Sequence, residues 1–152
     1  MFELLRNIFK PKKRRTIEHP VLGELQLEQG SKGTFWLREA YFDGELTICV
    51  DTVGEALPSD AQVKFYQWVM SSIESIYKTV AVELESLHHN MQSKAVDAEW
   101  KKSFRLAGFD VPLEGNRNLS WELTFECLTD NSGHLYTCHF ENGTLADVSI
   151  DT

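Results

Sequence analysis

The apolar residues Tyr66, Val69, Ile73, Ile76, Val80, Leu84, Leu87 and Met91 follow one another at intervals of three and four without a break. That spacing places them on one stripe of an α-helix and excludes a strand, in which alternate residues share a face. The start is marked by Pro58-Ser59-Asp60-Ala61-Gln62, where Ser59 can cap the first turn and Gln62 can reach back to the cap. A straight helix over 60–91 would be ~48 Å long at 1.5 Å per residue, more than the width of a compact domain of this length. It must overhang or bend, and Ser71-Ser72 is where a bend is expected.

The text on either side of this helix is β. Val21 to Leu27 reads as a short strand, and Thr34 to Phe42 and Glu45 to Asp51 as a pair joined at Asp43-Gly44, a favoured hairpin dipeptide. Beyond the helix, Asp97 to Lys102 closes the helical region. In Ser103 to Val111 the apolar alternation changes phase at Gly108, as at a β-bulge. Three further strands follow, Leu119 to Leu128, Gly133 to Phe140 and Thr144 to Ile150. Asn142-Gly143 between the last two predicts a type I′ turn. Strands, a long helix, then strands predict an α+β fold: an antiparallel sheet of about six or seven strands with the helix packed on one face.

At 152 residues, with 42% hydrophobic residues, the chain can hold one domain with its own core. Cys49, Cys127 and Cys138 are odd in number, sit in apolar runs and lack C-x-x-C spacing, which argues for reduced core thiols and against a disulfide framework or zinc knuckle. No run approaches the ~18 apolar residues of a membrane span, and the N-terminal apolar residues precede the basic cluster, the reverse of secretory order. The expected location is the cytoplasm, with membrane association on its cytoplasmic face open.

Charge divides the chain at Arg15. Residues 1–15 carry six of the fifteen basic side chains and one acidic one, Glu3, for about +5; residues 16–152 are about −13. Projected as a helix, Phe2, Leu4, Leu5, Ile8 and Phe9 occupy one arc and Glu3, Arg6, Asn7 and Lys10 the other. Ten residues do not hold a helix alone in water, so this segment needs a surface to lie on. Pro11 ends it, and Lys12, Lys13, Arg14 and Arg15 link it to the body. Three readings fit. Phe2, Leu5 and Phe9 could dock on the parent domain or a second subunit, with the basic run solvated or touching the acidic body. The segment could lie on an anionic membrane surface, each basic residue contributing roughly 1 kcal/mol. Or Pro11 to Arg15 could meet nucleic acid or act as a nuclear-import signal.

Catalytic constellations are sparse. His88 and His89 are adjacent, and neighbouring helix positions point ~100° apart, so the two cannot share an ion; no metal or other cofactor is expected. There is no G-x-S-x-G elbow and no phosphate-binding glycine loop. Glu122 and Glu126 flank Thr124 on the outer face of one strand, a spacing that could serve acid and base roles but suits a solvated sheet face better. Trp36 and Phe42 share one face of a strand whose other face carries Phe35, Leu37 and Tyr41, so these aromatics belong either to the core or to an interface. Nucleic acid would require basic residues among such aromatics, and the body is acidic.

From His19 to Asp151 the chain resembles a group of small uncharacterised bacterial domains, some of them like immunity or accessory proteins encoded beside toxins. The stretches that carry the resemblance are His19-Pro20-Val21-Leu22-Gly23, Leu57-Pro58-Ser59, Trp121-Glu122-Leu123-Thr124-Phe125, Gly133-His134-Leu135-Tyr136 and Val148-Ser149-Ile150-Asp151. The resemblance implies a fold and supplies no catalytic residues. The leading expectation is a non-enzymatic interaction protein whose acidic body meets a basic protein partner. The alternatives are a peripheral membrane protein held by its N-terminal segment and a small-molecule-binding domain or hydrolase using the outer-sheet carboxylates. A homodimer through open sheet edges fits any of the three.

Overall fold

A computed structural model describes residues 14–39, 46–130 and 133–151. Among these residues eight strands form one open sheet in the order of the chain: β1 (Thr16–His19), β2 (Gly23–Gly30), β3 (Gly33–Arg38), β4 (Thr47–Asp51), β5 (Phe104–Val111), β6 (Trp121–Cys127), β7 (Leu135–Glu141) and β8 (Thr144–Asp151). Every neighbouring pair is antiparallel except β4 and β5, which run parallel because the helical connection returns the chain to the same end of the sheet. The α+β class and the mostly antiparallel sheet agree with the sequence reading. The strand count exceeds it because β1 is only four residues long and carries no pattern of its own.

The connection holds two helices, α1 (Asp60–Ser71) and α2 (Ile73–Gln92), broken at Ser72 as the pair of serines predicts. The Ser72 N–H is shared between the carbonyls of Trp68 and Val69, and the Ser71 hydroxyl donates to Trp68 O at 3.2 Å. Breaking here keeps both helices on the sheet. At the start of α1 the expected capping box is present: Gln62 N donates to Ser59 Oγ, and Ser59 N to Gln62 Oε1. Gln62 does more than cap. Its Nε2 donates to Asp51 O at 2.6 Å and to Pro112 O at 3.2 Å, tying the first turn of α1 to the ends of both parallel strands.

Ring contacts from the helices all go to one face of the sheet: Phe65 and Trp68 meet Trp121, Tyr66 stacks near Phe109, and Tyr77 meets Phe125. This inner face supplies Leu25, Trp36, Ile48, Val50, Val111, Leu123, Tyr136 and Phe140 to the core. The phase change at Gly108 is a bulge, with Leu106 opposite Phe125 and Gly108 opposite Thr124. A Cβ at Gly108 would collide with the Thr47 carbonyl oxygen, so only glycine lets β4 approach there. Asn142 (φ 51°) and Gly143 (φ 78°) both adopt positive φ, as a type I′ hairpin requires. The predicted Asp43-Gly44 turn lies outside the described residues.

Candidate functional site

The other face of the sheet is where the chemistry gathers. The strand registers align Thr16, Gln26, Leu37, Cys49 and Asp110 in a transverse row across β1 to β5, and Glu122, His139 and Asp147 in a row across β6 to β8, the two rows meeting where Glu122 lies near Asp110. A parallel row sets Glu28 beside Phe35 and Phe35 beside Asp51. Carboxylates dominate this face, and some stand directly opposite one another. Glu18 is paired with Glu24 across β1 and β2, and Asp110 on β5 lies close enough to Glu122 on β6 for the two charges to repel and for the Glu122 backbone to hydrogen-bond the Asp110 carboxyl. Like charges in such cross-strand positions are destabilising.

Burial adds to the strain. It pushes the Asp110 carboxyl up to about 7, with the charges of Glu122 and Asp51 adding to the effect. Burial raises Asp51 as well, opposed by Lys32. Cys49, half-buried between Leu37 and Asp110, has its thiol pushed up to about 12 by burial and then by Asp110 and Asp51, so it is a poor nucleophile. Other carboxylates on the face have partners. Glu126 pairs with Arg105, Glu122 Oε1 lies 3.0 Å from His139 Nδ1, and His139 Nε2 is 3.0 Å from Ser149 Oγ.

Glu122, Thr124 and Glu126 therefore share the outer face as expected, with Thr124 hydroxyl to Thr137 hydroxyl at 3.2 Å. A cleft of about 420 Å³ lies elsewhere, at the helix break, lined mainly by Leu46, Met70, Ile73, Trp100, Phe104, Leu106 and Leu128. It is apolar and contains none of those three residues. Among the described residues no group of three or more His, Cys, Asp or Glu converges as a metal site would need. His88 is sequestered instead. Its Nδ1 donates to Lys94 O at 3.2 Å, leaving Nε2 to accept from the Thr129 hydroxyl at 3.0 Å, and burial lowers its pKa.

Of the residues singled out for partner contact, Trp36 is fully buried on the inner face, its indole N–H donating to Ala56 O. It is a core residue and offers no surface, because β3 turns Phe35 and Leu37 outward in its place. Arg14 and Arg15, counted with the tail by charge, are attached to the body: Arg14 pairs with Glu28, Arg15 lies 3.8 Å from Glu55 and over the Trp36 ring, and Leu27 N donates to Arg15 O. Phe2, Leu5, Phe9, Lys12, Lys13 and Phe42 lie outside the described residues. Among the described residues no helix is long and apolar enough to cross a membrane. The like-charge pairs were beyond sequence reasoning because each depends on a strand register. The chain matches no known protein-family profile, no curated protein and no solved structure.

Proposed function

We propose that the protein is a non-enzymatic interaction module, of the immunity-like kind, whose outer sheet face binds a basic protein partner. The observation that supports this reading is the crowding of carboxylates on one face, Glu18 directly opposite Glu24 and Asp110 beside Glu122. A sheet that needed only to fold would alternate signs there, and local rules are broken chiefly where function demands it. A cationic partner would relieve both repulsions at once and would be steered to the face by its potential.

The test is affinity capture from cells of the source organism at low salt, with the native chain and a Glu24→Lys/Glu122→Lys variant as baits. A partner held by the native chain and lost from the variant is the expected result. Identical sets of captured proteins on the two baits would refute the assignment of this face.

A further inference from the structure

We propose that the connection from α2 to β5, residues 93–103, is a strap held shut at neutral pH by His88 and released when that ring takes up a proton. Apart from one short 3₁₀ turn, Trp100–Lys102, the strap is irregular chain, and it is pinned at two points. Near its start the Lys94 carbonyl accepts from His88 Nδ1 at 3.2 Å. Near its end Glu74 on α2 takes the Trp100 indole N–H at 2.9 Å and the Lys101 ammonium at 2.8 Å, and Trp100 stacks on Tyr77. The pins differ in their response to acid. Glu74 is exposed, and its hydrogen bonds from Lys101 and Trp100 lower its pKa, so that pin persists.

His88 is 0% exposed and is placed to be neutral. Its Nε2 accepts from the Thr129 hydroxyl, whose oxygen stands 3.2 Å from Cys127 Sγ, and its ring lies edge-on to Phe104 on β5. A proton on Nε2 would point at the Thr129 oxygen and leave the Thr129 hydrogen only the sulfur, a weak acceptor. Among the described residues no carboxylate hydrogen-bonds the ring. Burial therefore holds its pKa below the ordinary value, with the Lys94 ammonium adding to this, while the Lys94 carbonyl, Asp130 beyond β6 and Glu85 on α2 oppose it without prevailing. A charged ring needs water. Thr129 follows directly from a paired strand, so the irregular strap is the covering that gives way. Its release uncovers Phe104, 1% exposed and part of the apolar cleft at the helix break, and so enlarges that cleft. The closed strap is fully favoured above pH 6.5, the ordinary histidine value, and loses ground as the pH falls from there through the lower value of the closed ring. One proton taken up on opening changes the opening equilibrium by up to about tenfold per pH unit.

Hydrogen exchange read by mass spectrometry, at about pH 7.5, 6.5, 5.5 and 4.5 and corrected for intrinsic rates, tests this on the full chain and two full-length variants. His88→Gln keeps a donor and an acceptor but takes up no proton. His134→Gln controls for the neighbouring histidine, whose Nδ1 lies 2.8 Å from Asp130 and whose protonation tightens that pair, the opposite sense. Peptides over 93–103 should lose protection by up to about tenfold per pH unit below 6.5 in the native chain and in His134→Gln, with β3 and β6 unchanged. In His88→Gln the profile should be flat. A flat native profile, an acid loss that survives in His88→Gln or vanishes in His134→Gln, or an equal loss across the sheet overturns the proposal. The native chain also provides a measurement free of any variant. Its His88 ring resonances, recognised by their contact with Phe104, should titrate below the ordinary histidine range, with the Ser93 and Lys94 amides following the same curve. An ordinary titration, or amides that follow a different curve, overturns it as well.

Discussion

Replacing Asp110 by Asn should change how the stability of this protein depends on pH, and the sign follows from the surroundings of the carboxyl. Asp110 lies in the middle of the outer face between Cys49 and Glu122, where burial first and the charges of Glu122 and Asp51 second raise its pKa from 3.8 to about 7. The folded state therefore holds this proton more tightly than the unfolded chain does. The stabilisation that results is fully present below pH 3.8 and is lost as the pH rises through about 7. Taken at face value, a rise of that size corresponds to about 4 kcal/mol, and solvent screening on a half-buried surface reduces this to about 1–2 kcal/mol. Asparagine keeps the shape and an accepting oxygen without ever ionising. In urea unfolding at about pH 4, 6 and 8.5, the two proteins should agree at the lowest pH and the variant should gain by about 1–2 kcal/mol at the highest. The difference between the two curves cancels every contribution that the two proteins share. Parallel curves across the whole range would show that the carboxyl is ordinarily solvated and that the crowding of Asp51, Asp110 and Glu122 has no energetic meaning.

Glu24→Lys alone turns the opposition with Glu18 into an attraction and should stabilise the fold by about 0.2–1 kcal/mol in denaturant while weakening partner capture. Gln62→Leu keeps the volume but strips hydrogen bonds from Ser59 N, Asp51 O and Pro112 O, and should cost about 2–4 kcal/mol in urea unfolding. Gly108→Ala should lose about 1–3 kcal/mol by thermal unfolding, because its methyl group meets the Thr47 carbonyl across the parallel ladder.

What could be read from the sequence was whatever a local rule governs. The capping box at Ser59 and Gln62, the break at Ser72, the bulge at Gly108 and the turn at Asn142-Gly143 each depend on a few consecutive residues, and each is found where expected. The N-terminal strands were displaced for the same reason in reverse. Pro20, Val21 and Leu22 form a turn whose N–H groups at Val21 and Leu22 donate to His19 Nδ1, and Gly23 (φ 81°) starts β2, so a run that reads as strand is half turn. The parallel pairing of β4 with β5 has no signature in either strand, since it is decided by how the helices lead the chain back. The candidate site was least legible. Glu122 and Glu126 were visible as a pair on one face, but Arg105 and His139, which engage them, and Asp110, which crowds Glu122, come from neighbouring strands.

The parallel ladder between β4 and β5 has a kinetic meaning as well. Strands β1 to β4 and β5 to β8 each follow one another directly in the chain, so their antiparallel pairings close short loops. Ile48 meets Phe109 about 60 residues further on, and loop closure over such a distance slows folding. The two halves should thus assemble early and the ladder last, with α1 and α2 pulling it shut. A substitution in the hairpin of β7 and β8, complete before the halves meet, should then act mainly on the folding rate. Gly108→Ala strains the seam that closes last, and should act mainly on the unfolding rate.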